Sequence, residues 1–343
     1  MMLKKSFKDS MTLLACAITL SVSSLGALAS TEKPGEGVKV TPIFPPIAEE
    51  RFRGEIAMQG LRELGYKVQE PKETEYAVMM VALANGDADF TVHLWNTLHD
   101  PFYQKAGGDR DLVKAGDVMN DVVQGYLIDK KTADAYNIKS LEDFKKPEIA
   151  KLFDIDGDGK ADLTGCNPGW GCEITTEFQL KEYGLNKTVN NNRGSYFALM
   201  ADTITRYKAG QPIFYYTWIP QWISSVLVIG KDVVWVPVPY TALPDGNNNA
   251  DTTYDGKNLG FAKDTIKSVV NKEFAEENPA ALKFLSVFNI KPEDESAQNL
   301  KMQQGENKAA DVTRHAKEWI AAHRQQFDGW LQASRDAASK AGK

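Results

Sequence analysis

The feature that most constrains this chain is an alternation of helical and strand patterns with no internal repeat and no low-complexity linker. Glu49 to Leu64 carries Ile56, Met58, Leu61 and Leu64 at broadly helical spacing, and Gly65 stops it before Tyr66-Lys67-Val68 opens a strand. Tyr76 to Asn85 reads as a second helix, and Phe90, Val92 and Leu94 then alternate like a half-buried strand. Further strands are expected at Gln124 to Asp129, Ile213 to Trp218 and Val233 to Pro239, with a helix over Tyr196 to Lys208. Val312, Ala316, Trp319, Ile320, His323, Phe327, Trp330 and Leu331 recur at three and four, one amphipathic stripe facing a core. Trp319, His323 and Trp330 on that stripe read as core residues, and His315 lies off it. Repeated strand-helix-strand units predict parallel sheets covered by helices. With 343 residues, enough for two domains, the chain is expected to cross between two α/β lobes, whose cleft is a favoured ligand site.

The first 29 residues are set aside as a signal segment. Lys4, Lys5 and Lys8 precede an apolar stretch from Met11 to Leu25, and Ala27-Leu28-Ala29 is an A-x-A cleavage site. A lipoprotein reading at Cys16 would leave only half of the usual apolar region. The net charge is −6, and removing the segment takes away three Lys and one Asp, so the mature chain stands at −8. No stretch clusters five or six Lys or Arg, which argues against nucleic acid as a partner. The mature chain keeps Cys166 and Cys172, and in an oxidising compartment the simplest reading is a local disulfide. A ring that small removes little entropy from the unfolded chain, so its use would be to fix a loop. The rival is a catalytic thiol served by one of four histidines, as in an exported hydrolase; zinc spacing is lacking.

Four stretches carry possible chemistry. Asp154, Asp156, Asp158, Lys160 and Asp162 occupy alternate places of a calcium-loop pattern with Gly159 at its sixth place, although Gly165 stands where a bidentate Glu belongs. A solvated Asp/Gly turn explains the same residues equally well. Gly165-Cys-Asn-Pro-Gly-Trp-Gly-Cys172 enters a helix at Glu173, so its open N–H groups suit a carboxylate and Trp170 stands on the loop tip. Leu94-Trp-Asn-Thr-Leu-His-Asp100 and Tyr215-Tyr-Thr-Trp-Ile-Pro-Gln-Trp222 follow predicted strands, where ligands gather in open α/β sheets. Taken singly, each aromatic here is core. Together, tryptophans at strand ends and on a constrained loop suggest a cage whose ring faces attract a cation without hydrogen bonds to offer. Trp222 and Trp235 read as packing residues.

These motifs, with Gln124-Gly-Tyr-Leu-Ile-Asp-Lys-Lys-Thr132, Asp156 to Thr164 and Gln326-Phe-Asp-Gly-Trp330, make the chain resemble the periplasmic glycine betaine/proline betaine-binding proteins of ABC uptake systems. The likeness runs in the same order over nearly all of the mature sequence. It implies a two-lobed α/β fold of the type II periplasmic-binding-protein kind, with lobe 1 over 30–123 plus 242–343 and lobe 2 over 124–241. It places a quaternary ammonium among Trp95, Trp170 and Trp218. It places a carboxylate on His99 and the N–H groups of Gly171 and Cys172, and a disulfide on Cys166 and Cys172. It further implies a monomer in the periplasm, without catalysis or a required cofactor, partnered by a membrane permease and its ATPase. Two departures adjoin the site: Asn96-Thr97 stands in place of Thr-Pro, and Ile174-Thr175-Thr176 in place of a Gly-Ala run. Choline or carnitine remains an alternative ligand, and a calcium-dependent adhesion domain an alternative class.

Overall fold

The structure is a computed structural model that describes residues 32–342; the signal segment and Cys16 lie outside the described residues. In chain order its main elements are α1 (Arg51–Glu63), α2 (Tyr76–Ala84), β1 (Phe90–Trp95), α3 (Asp100–Lys105), β2 (Leu112–Asp129), β3 (Ala161–Thr164) and α4 (Gly171–Glu182). There follow β4 (Val189–Asn192), α5 (Tyr196–Lys208), β5 (Phe214–Ile219), β6 (Val233–Val236) and β7 (Asp264–Asn271). Helices α6 (Pro279–Val287), α7 (Pro292–Gln303), α8 (Ala309–Ala322) and α9 (Arg324–Ala341) close the chain.

The 18-residue strand β2 organises the molecule. Leu112 to Val122 pairs antiparallel with β7, which pairs antiparallel with β1 on its other side. Val123 to Ile128 then pairs with β5, and Tyr126 to Asp129 with β6, both antiparallel. Parallel pairing joins β3 to β4 and β5, and occurs in two short pairs, Lys39–Val40 with Lys67–Val68 and Ile43–Phe44 with Lys72–Glu73, and in two isolated bridges, Pro42 with Phe90 and Ile229 with Val233. The expectation of parallel sheets is therefore corrected to a mixed sheet. Strand-helix-strand units build its parallel parts, but one continuous strand serves two sets of neighbours and imposes antiparallel pairing at the centre.

Three further expectations change. Strand β1 is buried at every position, not half-buried, because sheet and helices cover both of its faces. The C-terminal stripe breaks at His323 into two helices that pack on α1 and α6. His315 lies off the stripe yet is buried, with Nε2 2.8 Å from Glu306 Oε2, whereas His323 stacks on Trp319 at 4.2 Å. The core is dense where helices cross: a Cβ on Gly60 of α1 would fall 1.9 Å from the Phe284 ring of α6.

Candidate functional site

One small cavity gathers Trp95, Leu98, His99, Trp170, Gly171, Cys172 and Trp218, the complete set of candidate ligand residues and one neighbour. They arrive from four places: the end of β1, the turn after it, the loop entering α4, and the end of β5. Ile47, Glu50, Tyr76, Gln124 and Tyr216 complete the wall.

At one end the indoles stand at angles to one another. The Trp170 and Trp218 ring centroids are 6.1 Å apart at 70°, and each indole is 6% exposed. Trp218 rests on Tyr196 at 4.8 Å and Tyr216 at 6.1 Å. Tyr216 is fixed in turn, its hydroxyl donating to Gln124 Oε1 at 2.6 Å. Trp170 donates its Nε1–H to Glu75 Oε2 at 2.8 Å, so the ring is tethered across the cavity to the residue that precedes α2. The backbone at Trp170 is extended, and the left-handed conformation of the loop tip falls on Gly169 at φ +85°, where glycine carries no penalty. Trp95, at the last position of β1, is buried. Cys166 and Cys172 are joined by a disulfide that ties the Trp170 loop to the first turn of α4, and this removes the free thiol that the hydrolase reading required.

The other end presents hydrogen-bond donors. Gly171 and Cys172 are the first two residues of α4 and have no carbonyl one turn back, so their N–H groups and the helix dipole are open to an anion. Position 171 admits only glycine here, since a Cβ would sit 2.7 Å from Leu98 Cγ and 3.1 Å from its carbonyl oxygen. His99 N donates to Trp95 O at 2.9 Å, which closes one helical turn and turns both side chains into the cavity. The ring is 2% exposed, Nδ1 has no hydrogen-bond partner among the described residues, and burial lowers its pKa to about 3. At neutral pH the imidazole is therefore uncharged, with one ring nitrogen able to carry the proton. The turn itself is held from β7, where the Asp264 carboxylate accepts from the N–H of Thr97, Leu98 and Thr265.

A charge cluster that the sequence reading missed reaches the cavity wall at Glu50. Glu50 Oε2 sits 2.6 Å from Arg53 Nη2 and accepts from the Tyr76 hydroxyl at 3.0 Å; Arg53 also pairs with Glu295 and donates to Val92 O. Burial pushes the Glu50 carboxyl up, but the charge of Arg53 and the contact with His93 together outweigh it and bring the pKa down to about 2. Glu295, less favoured in the contest for one guanidinium, is raised by burial to about 7. A second indole contact parallels that of Trp170: Trp222 Nε1 donates to Glu49 Oε1 at 3.1 Å, so Trp222 is more than packing.

The Asp-rich loop stands apart. The carboxylates of Asp154, Asp156 and Asp162 come together within 4.8 Å, but Asp158 accepts from Asn190 and Lys160 joins only through its own N–H. Both oxygens of Asp154 accept loop N–H groups, from Gly157 and Gly159, and Asp162 accepts from Ile155 N and Asn192. Three of the five residues of the expected calcium set thus converge, while their carboxylates also accept N–H groups from the turn itself.

The paired sheet halves, with ring faces and helix N–H groups meeting in one cavity, are those of the type II periplasmic-binding-protein fold. The comparisons narrow this. Residues 38–322 match the family model described as the substrate binding domain of ABC-type glycine betaine transport systems, and the chain belongs to that family of transport proteins. It is 49% identical over 319 residues to the glycine betaine-binding periplasmic protein OusX of Dickeya dadantii, covering 93% of this chain and 96% of that one. It is likewise 49% identical over 318 residues to the glycine betaine/proline betaine-binding periplasmic protein of Escherichia coli, covering 91% and 96%. Among solved structures, lactococcal OpuAC in its closed form with glycine betaine superposes with TM-score 0.65 at 25% identity, over 86% of this chain and 99% of that one. A choline-binding protein of an ABC transporter, in complex with choline, reaches TM-score 0.68 at 16% identity over 88% and 97%, a likeness of fold.

Proposed function

We propose that this chain is the periplasmic binding subunit of an ABC importer, capturing glycine betaine or proline betaine and delivering it, as a monomer, to a membrane permease and its ATPase. The observation that carries this is the meeting in one buried cavity of Trp95, Trp170 and Trp218 with His99 and the open N–H groups of Gly171 and Cys172. A betaine has a methylated cation that offers no hydrogen bonds and a carboxylate that needs donors, and the two ends of the cavity match those needs. Desolvated cation–π contacts contribute up to about 2 kcal/mol each. With charge-assisted hydrogen bonds at the other end, the ~8 kcal/mol of a micromolar complex is within reach. No cofactor takes part. The basic and apolar signal segment with its A-x-A site supports export to the periplasm.

The lobes are 30–123 plus 242–343 and 124–241. The change of partners along β2 at Val122 and Val123 supports the first boundary. On that division the bonds of Trp170 to Glu75 and of Trp222 to Glu49, and the approach of Gly171 to Leu98, all run from one lobe to the other, as closure around a ligand requires. Titration of the mature protein's tryptophan fluorescence tests the reading: a saturable change with glycine betaine at micromolar concentration and none with lysine is expected. A response to choline alone moves the substrate, and silence with every quaternary ammonium removes the cage.

A further inference from the structure

The histidine that the betaine reading assigns to the ligand carboxylate is oriented in an unusual way. A functional imidazole commonly has its direction fixed by a hydrogen bond from its second nitrogen to a carbonyl or carboxylate. His99 makes no side-chain hydrogen bond among the described residues, and its Nδ1 is buried without a partner. Its plane is set by two rings instead: Tyr76 lies on one side with centroids 4.0 Å apart at 36°, and Phe102 stacks at 5.6 Å and 23°. Phe102 is carried on α3, directly after His99 in the chain. Tyr76 comes from a different element, as the first residue of α2, and it is buried.

Tyr76 is held at its far end. Its hydroxyl donates to Glu50 Oε2 at 3.0 Å, and Glu50 is fixed by Arg53, whose Nε donates at 3.2 Å to Val92 O. Val92 belongs to β1, the strand that ends in Trp95. The adjoining residue, Glu75, accepts the Trp170 indole N–H, and the Tyr76 ring meets Trp170 edge-on at 6.4 Å. The start of α2 therefore touches both ends of the cavity, through Glu75 at the cage and Tyr76 at the imidazole. Glu50 is the charged group that acts on His99 through space, and it does so from behind Tyr76.

We infer that Tyr76 is the positioning residue that aims His99 at the ligand carboxylate, and that the buried carboxylate of Glu50 holds Tyr76 in place. The inference rests on the betaine reading and goes further, because it separates ligands by their anionic end. Glycine betaine uses His99; choline shares the trimethylammonium group and has no carboxylate. Were Tyr76 only a fourth wall of the cage, both ligands would lose equally when it changed.

The test is calorimetric titration of the mature protein with glycine betaine and with choline. Tyr76→Phe keeps the ring and removes its anchor, and is expected to weaken betaine at least fivefold and choline less than twofold. In a His99→Ala background the same change is expected to cost less than a further twofold with betaine, because a positioning residue has nothing left to position. Equal losses for both ligands, or losses that simply add in the double variant, overturn the inference. A ligand-free readout keeps it apart from the betaine reading: the His99 ring, followed by NMR, is expected to titrate far below 6.5 in the parent and to rise toward 6.5 in Tyr76→Leu. An unmoved titration overturns the positioning role whatever the protein binds. Failure of the parent to bind betaine, with that titration moved, overturns the ligand assignment alone.

Discussion

Two loops of this chain carry equally conspicuous motifs and do opposite things. The loop from Gly165 to Cys172 leaves two donors open: Gly171 and Cys172 begin a helix, and Trp170 sends its indole N–H outside the loop, to Glu75 before α2. The loop from Asp154 to Asp162 closes on itself, with its carboxylates occupied by N–H groups of Ile155, Gly157, Gly159 and Lys160 and by the amides of Asn190 and Asn192. The difference teaches that a site is recognised by where its hydrogen-bonding capacity is left over. Composition alone favours the acidic loop, and the accounting of donors and acceptors favours the tryptophan loop.

Several measurements can break that comparison. The largest effect is expected from Trp170→Ala and Trp218→Ala, each weakening both betaine and choline at least tenfold, or about 1.4 kcal/mol. Parent-like binding in both variants would dissolve the cage. His99→Ala comes next, with betaine weakened about tenfold as a charge-assisted hydrogen bond is lost and choline changed less than twofold. Equal losses would make His99 merely structural.

A smaller effect belongs to pH. His99 and His93 are buried neutral, with burial lowering their pKa values to about 3 and 4 from 6.5. Their contribution to stability is complete above pH 6.5 and is lost as pH falls toward those values. Glu49 runs the other way. Burial raises its pKa to about 7, so its contribution is complete below about 4.5 and is lost as pH rises through 7. His99→Asn should therefore reduce the fall in Tm between pH 7 and pH 5, and Glu49→Gln should reduce the fall between pH 5 and pH 8. A melting profile that neither variant alters would contradict both assignments. Least is expected from the closed loop: Asp156→Asn should leave betaine affinity within twofold of the parent, and a chelator should leave Tm unchanged. A chelator shift of several degrees would restore the calcium reading.

How much of this was legible varies with distance along the chain. The cage tryptophans, His99 and the cysteine pair stand in short motifs with unusual composition, so sequence and resemblance pointed to all of them. Helices α1, α2 and α5 were marked by periodicity and by the glycines that stop them. The first half of β2, all of β3, β4 and β7, and the break at His323 were not. Lys114, Asp117, Asn120 and Asp121 interrupt the alternation of β2, which becomes a strand through its pairing with β7. Glu50, Glu75, Tyr76, Gln124 and Asp264 were missed for the same reason. Nothing local distinguishes an Asp that caps a turn 167 positions away from one that faces water.

The sequence by itself determined the alternation of elements and the motifs whose aromatics and glycines line the cavity, because each depends on neighbours within a few positions. Tertiary structure decided which aromatics line the cavity and which form core, which carboxylates accept from their own loop, and which rings lie against His99. Those outcomes follow from contacts between β1, the start of α2, the Trp170 loop and β7, and only the folded sheet brings these segments within hydrogen-bonding distance of one another.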